Sequence, residues 1–150
     1  MEKTKIDKTK FKDAKGRYIV QGLFLEDRYD TNLAVFTYSG EDKLYNGVVY
    51  PSLKRLYLDF GDPEEYEFAR TYLYDWPHWK RLTENAMIRP HIADWREELR
   101  LSLRSEGISQ MIGLAKDGSY QAAKFLADEG WIKNPRGRPS QAEIDRKLKE

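Results

Sequence analysis

Cysteine is absent from the 150 residues, and histidine occurs only twice. The first absence excludes disulfide scaffolds, thiolate metal sites and cysteine nucleophiles. The second leaves His78 and His91, each beside a proline, with no His/Asp/Glu spacing of a metal site. A glycine-rich phosphate loop and a serine elbow are also missing. Carboxylates are plentiful, but Glu64-Glu65 and Glu97-Glu98 sit where helix starts and helix faces already explain them. The chain is therefore expected to be non-enzymatic and to need no cofactor or metal. No uninterrupted apolar run approaches membrane length. Residues 1–15 are charged and lack an apolar stretch, which predicts no secretory leader. A soluble, cytoplasmic protein with no membrane partner is the expectation.

What is present is charge, at 34% of residues, beside 40% hydrophobic residues, which suits one globular core with solvated flanks. The formal net charge of +1 conceals an uneven distribution. Residues 1–17 carry seven Lys/Arg against three Asp/Glu, and residues 132–150 carry six against three. The middle is left with thirteen against nineteen. Basic ends on an acidic body suit arms that touch phosphates, although lysine-rich termini also serve simply to keep chain ends soluble.

Residues 1–17 are polar and without periodicity, and read as a flexible basic arm. From Tyr18 the chain turns β-branched and aromatic: YIVQGLFL and, from Leu33 to Tyr38, LAVFTY predict two strands. The other reading is extended chain draped over helices. Asn46-Gly47, between the apolar pairs Leu44-Tyr45 and Val48-Val49, predicts a tight hairpin. A small β-rich segment is thus expected over 18–51.

Helix signals follow in close order over 52–95. Ser52 caps a first helix whose Leu53, Leu56, Tyr57 and Phe60 form one stripe, and Gly61 ends it. Asp62-Pro63-Glu64-Glu65 predicts a capping box closed by Glu65 and a second helix over 63–74, with Tyr66, Ala69, Tyr72 and Leu73 inward. Asp75-Trp76-Pro77 opens a third over 77–85, with Trp79 and Leu82 inward and His78, Lys80 and Arg81 outward. Pro90 opens a long helix to 115 along Ile92, Trp95, Leu99 and Leu103, which Gly107 breaks or bends. Asp117-Gly118-Ser119 caps a last helix over 120–129, terminated by Gly130. The four tryptophans fit core packing better than base stacking.

Two short helices separated by a break suggest a helix-turn-helix, and a plain three-helix core fits the same signals. If the motif is real, His78, Lys80 and Arg81 meet the DNA and Arg70 reaches a phosphate. Pro135-Arg136-Gly137-Arg138-Pro139, just after Lys133, looks like the core of an AT-hook. Narrow A·T minor grooves focus negative potential that draws guanidinium groups. Gly137 lets the backbone reach the groove floor, while Pro135 and Pro139 hold the chain extended. The alternative is a stiff linker ahead of a charged helix.

The expected fold is mainly α: a helix-turn-helix-like core with a long central helix, a small β-rich segment before it, and flexible basic ends. The expected limits are 1–17, 18–51, 52–131 and 132–150.

These residues resemble the small terminase subunits of tailed bacteriophages. The resemblance rests on Gly61-Asp62 as the turn before the second helix and Leu82-Thr83-Glu84-Asn85 closing the third. It rests also on Ile92 to Leu99 opening the long helix, and on Gly118 to Leu126 as the Gly-Ser-Tyr-Gln-Ala-Ala-Lys-Phe-Leu helix. It covers a little over half the chain. It implies a non-enzymatic DNA-packaging adaptor that binds double-stranded viral DNA and assembles as a homo-oligomeric ring through the long helix. Such an adaptor recruits the large ATPase-nuclease subunit. The rival readings are a small transcription regulator or nucleoid-associated protein using the same contacts, and an interaction protein whose basic ends bind an acidic surface.

Overall fold

The structure, a computed structural model, describes residues 6–27 and 33–132. Among them lie one antiparallel hairpin, β1 (Lys43–Tyr45) and β2 (Val48–Tyr50), and five α-helices: α1 (Leu53–Phe60), α2 (Tyr66–Tyr72), α3 (Trp76–Glu84), α4 (Arg89–Lys116) and α5 (Tyr120–Ala127). The expectation of a mainly helical chain with a long central helix and a small hairpin ahead of it holds. By contacts the chain forms two compact units, Met1–Leu101 and Ser102–Glu150, and the division falls inside α4.

The boundaries follow from local chemistry. Asn46 and Gly47 both take positive φ, as a two-residue hairpin turn requires. The Ser52 hydroxyl accepts from the Arg55 amide, Asp75 from the His78 amide at 2.9 Å, and Ser119 from the Ala122 amide. Gly61 closes α1 at φ 70°, in the left-handed region. Asn85 accepts from the amides of Met87 and Ile88 and so turns the chain into α4.

Helices α1, α2 and α3 and the first half of α4 share one aromatic core in the first unit. Tyr57, Phe68, Trp79 and Trp95 are buried at its centre, with Leu53, Leu82, Ile92 and Leu99 around them. Phe68 meets Trp79 edge-on at 5.1 Å between ring centroids and Tyr57 at 5.2 Å, so α2 is locked against both neighbours.

Several expectations fail here for physical reasons. Residues 6–17 are folded, with Phe11 completely buried between Phe36 and His78. The described residues 18–27 and 33–38 form single backbone bridges and 3-10 turns in place of two strands. Phe24 bridges Phe36 and Thr37 bridges Ser52, because these residues line the helical core on non-adjacent segments. Tyr66 is exposed and Phe68 takes its inner position. Leu103 lies outside the buried stripe of α4, and Gly107 neither breaks nor ends that helix. Glu65 closes no capping box: Asp62 alone accepts from the amides of Glu64, Glu67 and Phe68.

In the second unit, α5 buries Ala122, with Phe125, Leu126 and Trp131 half-buried. Gly130 follows this helix with no room for a side chain, since a Cβ there would clash with Cδ2 of Phe125. The left-handed residue is its neighbour Glu129, at φ 53°.

Candidate nucleic-acid interface

Helix α3 sets the geometry. Its inner face, His78, Trp79 and Leu82, is fully buried, which leaves Lys80 and Arg81 on the outer face. Neither cation forms an ion pair among the described residues. His78, expected beside them, belongs to the core. Its Nε2 lies 2.7 Å from the Ile19 carbonyl, and its Nδ1 accepts from the Tyr74 amide at 3.2 Å. With Nδ1 an acceptor, Nε2 carries the proton and the ring is neutral. Burial pushes the His78 pKa down, against the bond to Ile19 and the nearby Asp75 carboxylate, which favour the charged form. The spacing 78, 79, 82 places His78 on the same stripe as Trp79 and Leu82, and that was the signal for an inward position.

The turn between α2 and α3 spans Leu73 to Asp75. Lys12 and Tyr18, from the N-terminal segment, fold against it. The Lys12 ammonium sits 4.2 Å from the Tyr74 ring centroid and 5.0 Å from that of Tyr18. The Arg81 guanidinium also lies over the Tyr18 ring, at 5.5 Å. On α2, Arg70 lies 5.6 Å from the Tyr66 ring, and Tyr66 contacts Trp76 at 6.0 Å. One cation-and-ring cluster thus gathers at the turn, and a second links the start of α2 to the start of α3. Each cation gains from the negative face of its ring, a contact worth roughly 0.5–1 kcal/mol at an exposed site.

The acidic groups nearby are engaged. Asp75 accepts from the Tyr18 hydroxyl at 2.7 Å while it caps α3, and Glu67 faces Arg70 at 3.7 Å. Tyr18 is pushed up in pKa chiefly by that hydrogen bond to Asp75, so it stays a neutral phenol at any physiological pH.

Of the residues expected at DNA, the structure brings Arg81 and Arg70 to this turn, with Lys80 on the outer face of α3. Lys12, Tyr18, Tyr66, Tyr74 and Trp76 were not anticipated there. Trp76 departs from the expected core role: it is exposed at the start of α3, whereas Trp79 and Trp95 are buried. Lys133, Arg136, Gly137, Arg138 and Pro139 lie outside the described residues. No group of His, Cys, Asp or Glu among the described residues is arranged to hold a metal, and no described helix is long and apolar enough to cross a membrane.

No family model, curated protein or solved structure matches the chain.

Proposed function

We propose that the protein is a non-enzymatic DNA-binding adaptor of the phage small terminase type, which engages viral duplex DNA and recruits a large ATPase-nuclease subunit. The observation that carries this reading is the outer face of α3. Its inner residues are fully committed to the core, and it holds Lys80 and Arg81 exposed, with Lys12 sharing the Tyr18 ring with Arg81. A cation-bearing helix held rigid at the second position of a two-helix unit suits a phosphate track or a major groove. The basic 132–150 segment, with its Arg136-Gly137-Arg138-Pro139 run, adds a second contact that raises avidity. Self-association draws support from the second unit, where Leu103, Ile112, Leu114 and Tyr120 are all exposed.

Fluorescence anisotropy with a duplex oligonucleotide across a salt series tests the DNA contact. Lys80→Ala with Arg81→Ala is expected to weaken binding at least tenfold and to reduce the log–log salt slope by about one per lost phosphate contact. Unchanged affinity and slope would make α3 scaffold alone. Native mass spectrometry, with and without DNA, tests the assembly: a ring-sized species supports the packaging role. Monomer or dimer alone favours a regulator or nucleoid-associated protein using the same face.

A further inference from the structure

The outer face of α3 accounts for cations, but it leaves the rings around them without a role. Tyr66 is 49% exposed, Tyr74 41% and Trp76 36%, although the inner faces of α2 and α3 are already filled by Phe68, Tyr72 and Trp79. These three rings are surplus to the core: Tyr74 lies on the turn, Trp76 starts α3, and Tyr66, at the start of α2, packs against Trp76. Lys12 covers Tyr74, Arg70 covers Tyr66, and Trp76 stands against Tyr66.

From this juxtaposition we infer that the α2–α3 turn is a binding site for unpaired bases, and that its ligand is a single-stranded stretch of DNA. The inference rests on the nucleic-acid reading above and names the form of the ligand. A partner that satisfies this surface must bring negative charge and flat π-faces together. Duplex DNA presents phosphates but keeps its base faces stacked inside the helix, so it would use the cations and ignore the rings. An acidic protein segment supplies charge without flat faces. A single strand offers both: bases stack on Tyr74 and Trp76 while its phosphates draw Lys12, Arg70 and Arg81. Lys12 is suited to the exchange, because its compact charge on a flexible stem moves from a ring face to a phosphate without disturbing the backbone. The rings are held in place from behind. The Tyr74 amide is tied to His78, Tyr18 stacks on the His78 ring at 5.1 Å, and Pro77 and the Asp75 cap fix the start of α3 under Trp76.

The test uses the full chain with a labelled twenty-residue oligothymidylate and a duplex of the same length, followed by anisotropy and by tryptophan emission. The single strand is expected to bind at least as tightly as the duplex and to quench tryptophan emission. Tyr74→Leu and Trp76→Leu keep apolar volume but remove the flat face. Each is expected to weaken the single strand roughly 5- to 100-fold, with little change for the duplex. Trp76→Phe is expected to restore most of the loss, and thermal melts of all variants should match the parent chain. Arg81→Ala should weaken both ligands. If duplex binds and the single strand does not, or if the leucine variants leave single-strand affinity unchanged, the inference fails while the DNA-binding reading stands. Failure of both ligands to bind removes both. Polyglutamate bound as tightly, with the same dependence on the rings, would overturn the inference in favour of an acidic protein partner.

Discussion

Glu65 holds a left-handed backbone position, φ 70°, which costs a non-glycine residue energy, and the residue is only 5% exposed. Four hydrogen bonds offset that cost. Arg96 donates two, at 2.8 and 2.6 Å, Tyr57 donates its hydroxyl at 2.8 Å, and Trp79 its indole N–H at 3.2 Å. One carboxylate thereby joins α1, α3 and α4 at the start of α2. Burial pushes Glu65 up in pKa, but the bonds from Arg96, Tyr57 and Trp79 outweigh it and hold the carboxyl below its ordinary range. Glu65→Ala leaves the half-exposed Arg96 and two buried donors unmatched, and is expected to lower stability by roughly 3 kcal/mol in urea unfolding. Glu65→Gln, which keeps one acceptor, should lose less. Acid acts at two levels. His78 has a folded pKa below its ordinary 6.5, so the unfolded chain takes up the proton first. The His78 contribution is therefore present above about pH 6.5 and is lost as pH falls below that value toward the lower folded one. The Glu65 contribution persists until pH drops through the ordinary carboxylate value, 4.5, toward its lower folded one. The urea midpoint should thus fall between pH 7.5 and 5.5, and His78→Gln should remove that upper step. A midpoint flat over this range in the parent chain would exclude the buried neutral imidazole.

At the level of elements, the caps were legible because their chemistry is local. Ser52, Gly61, Asp75 and Ser119 each act within three or four residues of their position, and all four mark ends as their types dictate. Glu65 was illegible for the opposite reason. Its partner Arg96 lies 31 residues away, and Asp62 took the amide contacts that a capping box would share. The aromatic run 18–38 reads as strand because β-branched and aromatic residues favour pleats, yet a strand needs a neighbour to pair with. Here its described residues pack on the helical core, and their hydrogen bonds are isolated ones such as Leu25 to Phe36 and Thr37 to Pro51. Glycines separate along the same line. Gly107 and Gly113 are interior to α4, and a Cβ at either meets nothing within 4 Å. Alanine at each should raise helix content and add up to about 1 kcal/mol of stability. Gly130→Ala should do the reverse, since its Cβ would overlap the Phe125 ring. Overpacking of this kind costs about 1–3 kcal/mol, readable as lost amide protection at the end of α5.

On the scale of the whole chain, two basic ends flank a body with more acidic than basic residues. If both the α3 face and the 132–150 segment touch phosphates, their effects on binding are separable by salt. Arg136→Ala with Arg138→Ala should lower the salt slope by about two and weaken A·T-rich duplex more than G·C-rich duplex. An unchanged slope would make that segment a linker. The α3 part of the site was visible in the sequence as Lys80 and Arg81 on a short capped helix. The rest was hidden because it is assembled from distant stretches: Lys12 and Tyr18 reach the turn only when the N-terminal segment docks, and no local pattern announces that meeting.

That docking also bears on the order in which the chain is made. Phe11 has its seat between Phe36 and His78, and the Lys8 ammonium donates to the Arg70 carbonyl. The ribosome therefore delivers Lys8 and Phe11 before their partners, and the Phe11 ring stays uncovered until His78 has emerged. Any shortened translation product that stops ahead of His78 lacks one wall of that seat. Such fragments are expected to be sticky and quickly degraded, with the shift to a soluble product falling sharply once α3 and its successor helix are complete.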